Sequence, residues 1–374
     1  MKYYIISGEA SGDLHGSNLI KEIRKKDQAA DIRCWGGDKM QAAGATLVKH
    51  YKELAFMGFI EVLGNLGTIL KNIKFCKKDI TQYQPDVLIL VDYPGFNLRI
   101  AKWAKQHGFK VIYYISPQVW AWKENRVKLI KECVDKMLVI LPFEKTFYKK
   151  WGYEVEYVGH PLVEVVEDFM RKEPGPINIE KGNKNIIALL PGSRKQEILK
   201  KLPIMLEVTK YFPHYRFIVA KAPGLEESFY HALLRPYMNV TSVADQTYRL
   251  LMQSKAALVT SGTATLETAL FGVPEVICYK GNALSYQIAR RLIKIKFIGL
   301  VNLIMDKEVV KELIQDELTV EKLKNELTLL LTEPAKQQQV REDYIRLKDL
   351  LKKGGNASAN AAASIHSFLT GSPE

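Results

Sequence analysis

Two doubly wound α/β domains of similar size are the fold class this sequence predicts, and three observations predict it. Short, unbroken apolar runs alternate with helical stretches along most of the 374 residues; the runs fall into two series; a polar, Pro/Gly-rich segment separates them. A run without polar alternation marks a strand buried on both faces, so each series reads as a parallel sheet covered by helices. The length suits two ordinary domains, and 47% hydrophobic residues supply ample core.

The first series comprises residues 3–7, 31–35, 86–91, 110–115 and 136–141. The stretch 171–185, with Pro174, Gly175, Pro176 and Gly182 among charged residues, reads as a hinge. The second series comprises 186–190, 216–220, 256–260 and 274–279; from Thr319 onward the pattern is helical only. The expected division is a first domain over 1–170, a second over 185–340, and C-terminal helices over 341–370.

Composition narrows the function classes. The net charge of +13 points to an anionic partner, but no helix-turn-helix, zinc finger or aromatic-interleaved basic region is present, so nucleic acid is not expected. Cys34, Cys76, Cys133 and Cys278 are scattered without a Cys-x-x-Cys pair, and the seven histidines show no ligand spacing. Neither a disulfide frame nor a metal site is expected. Met1 to Ile6 gives way to Ser7-Gly8 too early for a secretory signal, and no window approaches 18 apolar residues. A cytoplasmic protein is the expectation.

Ligands of open parallel sheets gather beyond the carboxyl ends of the strands, which selects the loops to inspect. Ser261-Gly262-Thr263-Ala264-Thr265-Leu266-Glu267 joins a strand to a helix start, whose free N–H groups and positive dipole end suit a diphosphate. Ser261, Thr263 and Thr265 add hydroxyl donors, and Glu267 is placed to accept from a ribose diol. Pro191-Gly192-Ser193-Arg194 has the same layout, with Gly192 and Ser193 at the turn and the Arg194 guanidinium as a fork for phosphate oxygens. It lacks the Walker A ending, and the first loop lacks Gly-x-Gly-x-x-Gly, which argues against nicotinamide or flavin.

Asp92 closes the apolar run 87–91, where partial desolvation suits a general base, although a helix cap or plain turn residue fits the same position. Glu9 and Asp13 in the first loop are rival carboxylates, and Asp13 reads equally as the cap of the helix that follows. His15 reads as structural; Ser11 lacks a nucleophile elbow. Between residues 56 and 75, Phe56, Met57, Phe59, Ile60, Val62, Leu63, Leu66, Ile69, Leu70 and Ile73 make a wide apolar stripe, closely followed by Lys71, Lys74, Lys77 and Lys78. This pattern suits an interfacial helix on anionic lipid, and equally a core helix. A second basic-apolar segment spans 288–296.

Taken together, Ser7-Gly8-Glu9-Ala10-Ser11-Gly12-Asp13, Ser116-Pro117-Gln118-Val119-Trp120-Ala121-Trp122, Leu141-Pro142-Phe143-Glu144, Gly159-His160-Pro161, Leu190-Pro191-Gly192-Ser193-Arg194 and the segment 261–267 resemble the lipid-A-disaccharide synthase family over nearly the whole chain. The resemblance implies a GT-B fold, two Rossmann-like domains facing across a cleft. It implies inverting transfer of 2,3-diacylglucosamine from UDP-2,3-diacylglucosamine to 2,3-diacylglucosamine 1-phosphate, without metal or cofactor. It implies a homodimer and a peripheral position on an anionic membrane surface, the cytoplasmic face of the inner membrane. Asp92 matches the family's catalytic aspartate and Arg194 its essential arginine. Asn302 matches a functional asparagine, although Val301 stands where the family often carries proline. A UDP-sugar 2-epimerase, another UDP-sugar transferase of the same fold, or a non-catalytic nucleotide-sugar binder are the rival readings.

Overall fold

The structure is a computed structural model that describes residues 1–53, 66–172, 185–282, 286 and 295–371. The chain divides into two compact units, Met1–Pro161 with Leu351–Glu374, and Leu162–Leu350.

The first unit holds seven parallel strands: β1 (Lys2–Ser7), β2 (Asp31–Gly36), β3 (Thr46–His50), β4 (Val87–Val91), β5 (Val111–Tyr114), β6 (Lys136–Val139) and β7 (Glu156–Tyr157). Their order is β3-β2-β1-β4-β5-β6-β7, so the winding reverses between β1 and β4. Alternate residues serve opposite faces. Tyr4, Ile6, Leu88 and Leu90 pack with Ile73, Cys76 and Ile80 of the helix Leu66–Tyr83 and with Val127 and Ile130 of the helix Arg126–Cys133. Tyr3, Ile5, Val87 and Ile89 pack with Leu19, Ile20 and Ile23 of the helix Ala10–Lys26 and with Ala361, Ala362 and Ile365 of the helix Ala357–Thr370. The last helix is thus part of the first unit. Of the helical segment that the sequence sets apart over 341–370, the part up to Leu350 belongs to the second unit, where Tyr344 donates to the Val273 carbonyl, and only the last helix covers the amino-terminal sheet.

The second unit holds β8 (Ile186–Leu190), β9 (Arg216–Lys221), β10 (Val240–Ala244), β11 (Ser254–Thr260), β12 (Glu275–Tyr279) and β13 (Glu312–Ile314). The order β10-β9-β8-β11-β12-β13 is again parallel, with its reversal between β8 and β11. All nine strands read from the sequence are present. The four it misses, β3, β7, β10 and β13, are the outer edges of the two sheets. An edge strand is covered on fewer sides, and these four carry polar residues within them, so none writes a continuous apolar run.

Candidate active site

Each unit presents its candidate loops at its own winding reversal, where adjacent loops diverge and leave a crevice. In the first unit, Ser7 lies in register with Val91, so the turns at Gly8 and Asp92 leave neighbouring strands at one level. Asp92 and Tyr93 both adopt left-handed backbone, with φ of 46° and 52°. That conformation is held from behind. The Asp92 carbonyl accepts from the Tyr113 hydroxyl at 2.5 Å and from Asn97 Nδ2 at 2.7 Å, and Asn97 is fully buried. Gly8 is required because the Tyr93 ring lies on it: an added Cβ would meet ring carbons at 2.3 Å. The half-buried Asp92 carboxyl is pushed up to about 6 by desolvation and by the neighbouring Glu9 charge.

Glu9 occupies the cap position of the helix Ala10–Lys26 without a side-chain capping bond. Asp13 is a structural residue, not a rival base. Buried in that helix, it caps a different one, accepting from the main-chain N–H groups of Gly37 at 2.7 Å, Met40 at 3.0 Å and Lys39 at 3.2 Å at the start of Asp38–Ala42. His15 is also buried, and desolvation lowers it to about 4; His160, buried beside it, falls to about 3. Glu144, in the Leu141–Glu144 motif, is buried and accepts from the Leu141 N–H at 2.9 Å; burial raises it to about 7.

In the second unit, β8 and β11 are neighbours with Leu190 opposite Val259, so the turns at Gly192 and Gly262 emerge side by side. Gly192 takes φ 120°, a backbone state that side chains disfavour. Ser193 is exposed, and Arg194 caps the helix Lys195–Thr209, its guanidinium 3.1 Å from Glu197 and half exposed. Gly262 caps the eight-residue helix Thr263–Leu270, whose first amides, at Thr263 and Ala264, have no intrahelical acceptor.

The expected hydroxyl donors divide. Ser261 donates to the Ile298 carbonyl at 3.0 Å and buried Thr265 donates back to the Gly262 carbonyl at 2.9 Å, so these two brace the turn, while Thr263 is exposed. Glu267 is half-buried and accepts from the Tyr248 hydroxyl at 2.6 Å; desolvation raises its pKa. Tyr248 packs against Phe169 and Phe271.

Asn302 is fully buried and its amide is spent inside the protein. Nδ2 donates to the Val310 carbonyl at 2.8 Å and Glu312 at 2.9 Å, and Oδ1 accepts from the N–H groups of Val309 and Val310. Through these bonds Asn302 organises the loops around β13.

Of the apolar stripe, Phe56, Met57, Phe59, Ile60, Val62 and Leu63 lie outside the described residues, as do 288–294 of the second basic segment and 173–184 of the hinge. Leu66 opens the helix Leu66–Tyr83. Ile69 is half-buried against the core, whereas Leu70 is 55% and Phe75 47% exposed, beside exposed Lys71, Lys74 and Lys78.

Sequence reading missed Tyr113, Asn97, Tyr248 and Lys201. Lys201 carried a readable signal, since it sits on the apolar face with Ile198, Leu202 and Met205. The other three touch their partners only through the fold.

The model of the family described as lipid-A-disaccharide synthetase matches residues 3–366. The lipid-A-disaccharide synthase of Geobacter metallireducens is 42% identical over 357 residues, covering 94% of this chain and 93% of that protein. The enzyme of that name from Nitrosococcus oceani is 40% identical over 376 residues, covering 98% and 96%. Among solved structures, the UDP-GlcNAc 2-epimerase of Neisseria meningitidis bound to UDP-GlcNAc superposes with a TM-score of 0.68 at 13% identity over 99% of this chain and 100% of that one. The calicheamicin glycosyltransferase superposes at 0.64 and 16% identity, covering 100% and 99%. These two likenesses show the fold, which is of the GT-B class.

Proposed function

The chain belongs to the lipid-A-disaccharide synthetase family, and from that premise we propose how its two half-sites divide one glycosyl transfer. The enzyme is a glycosyltransferase that moves 2,3-diacylglucosamine from its UDP carrier to 2,3-diacylglucosamine 1-phosphate, releasing UDP and the β-1,6 disaccharide 1-phosphate. The domain carrying Asp92 takes the acceptor and faces the membrane; the domain carrying Arg194 takes the UDP-sugar.

Asp92 removes the proton from the acceptor 6-hydroxyl as that oxygen attacks the anomeric carbon. The bond to the diphosphate breaks on the opposite side, and configuration inverts in one displacement. The carboxyl is deprotonated above about 6, which suits a base working near neutrality. Charge gathering on the diphosphate is met by Arg194, by the Gly192–Ser193 turn and by the Thr263 and Ala264 amides. Glu267, steadied by Tyr248, accepts from the ribose diol. The exposed Leu70 and Phe75, with their flanking lysines, rest on anionic lipid at the cytoplasmic face of the inner membrane. No helix among the described residues is long and apolar enough to cross a membrane. Self-association into a homodimer belongs to the same reading and is measured by light scattering.

The observation that carries this reading is the pair of anion-type turns leaving adjacent strands in register at the winding reversal of the second unit. The test is incubation with both acylated glucosamine substrates in EDTA, followed by mass analysis of the lipid. A disaccharide 1-phosphate with stoichiometric UDP is expected; UDP release without disaccharide would refute the transfer.

A further inference from the structure

One charged group beside the donor turn is left unused by this mechanism. Lys201 lies on the inner face of the helix Lys195–Thr209 and is only 2% exposed. Removing an ammonium from water is expensive unless a counter-charge answers it, yet among the described residues no hydrogen bond or ion pair within bonding distance is made to it. The charges acting on it are Glu197, Lys200 and Arg194, with the Cys278 thiol on β12, and of these Glu197 acts most strongly. A Cβ built at Gly192 would lie 2.8 Å from Glu197 Oε2 and 3.7 Å from Lys201 Nζ, so both groups border the same small space under the turn. On its other side Glu197 holds Arg194 at 3.1 Å.

We propose that Lys201 is a positioning residue for donor binding, the cation that takes over Glu197 when Arg194 turns to the diphosphate. The inference rests on reading the turn as the diphosphate site. Without donor, Glu197 is paired with Arg194, the half-exposed cation able to leave, while Lys201 borders the same space without bonding to it. When Arg194 swings onto the phosphate oxygens, Glu197 would be a bare carboxylate beside an incoming anion. Lys201 neutralises it in place. An apolar residue would fill this position more stably, and the buried charge is kept for binding.

The test measures UDP binding by calorimetry, with thermal midpoints, on the full chain and on Lys201→Met, Glu197→Gln and the double variant. Lys201→Met is expected to weaken UDP binding about tenfold while the midpoint holds or rises. In the Glu197→Gln background the same substitution is expected to change UDP affinity by less than about twofold, because the carboxylate it serves is gone. Three outcomes would overturn the inference. They are unchanged UDP affinity in Lys201→Met, an equal loss in both backgrounds, and a midpoint falling in step with affinity. A wild-type chain that binds no UDP would instead remove the donor-site reading itself.

Discussion

Asp92 shows how one residue is prepared by its backbone. Its left-handed conformation is one a non-glycine residue adopts at a cost, and the Tyr113 and Asn97 bonds to its carbonyl hold it there. Asp92→Asn is expected to cut turnover by roughly 10²–10⁴-fold with UDP affinity retained; turnover within a fewfold of wild type would move the base to Glu9. The rate should rise with pH through a limb near 6 that the variant lacks. The stability effect has the opposite sense. A carboxyl raised from 3.8 to about 6 favours the folded state at low pH, and that contribution is lost as pH rises through 6. Asp92→Asn should therefore raise the unfolding midpoint at pH 8 more than at pH 4. Tyr248→Phe removes the hydroxyl that orients Glu267 and should raise the KM for UDP-sugar several-fold with kcat little changed, the worth of one ordinary hydrogen bond of about 1 kcal/mol.

At the scale of elements, the helix Leu66–Tyr83 serves two surfaces at once. Its inner face carries Ile73, Cys76 and Ile80, and a buried chain pins it to the sheet: Trp35 Nε1 donates to the Tyr4 hydroxyl at 2.8 Å, and that hydroxyl donates to Asp79 at 2.7 Å. Its outer face offers Leu70 and Phe75 among lysines. The core and interfacial readings of this stretch are therefore compatible along the described part. Leu70→Ser with Phe75→Ser is expected to reduce co-sedimentation with anionic vesicles several-fold while far-UV circular dichroism stays constant; sedimentation unchanged by both would assign the patch to ordinary surface. The strands follow a similar logic. Interior strands were legible because burial on both faces writes an unbroken apolar run, and the edges β3, β7, β10 and β13 were not.

For the whole molecule, the chain returns to its beginning. Ile365 and Ala361 in the last helix complete the face that Leu19, Ile20 and Ile23 cover, and Ser364 donates to Glu156 at 2.6 Å. Ile365→Ala should destabilise by about 2–4 kcal/mol, as emptying a well-packed core position does; calorimetric unfolding would measure it, and a change below about 0.5 kcal/mol would show the helix to be peripheral. His15 and His160 act on the same unit. Both are buried neutral, with folded pKa values of about 4 and 3 against an ordinary 6.5, so the unfolded chain binds protons first and stability falls as pH drops below 6.5.

The sequence by itself determined what rests on local pattern. Apolar runs gave two parallel sheets, and glycine and hydroxyl turns at strand ends gave the Gly192 and Gly262 loops. Asp92 drew notice because a lone carboxylate follows five apolar residues. Only the tertiary structure decided which protein groups each polar side chain bonds. Asp13, Ser261, Thr265 and Asn302 are spent on partners distant in sequence or hidden in turns, and Tyr248 reaches Glu267 across 19 positions. A side chain's hydrogen bonds are shared out by the fold's geometry, which spacing along the chain does not encode.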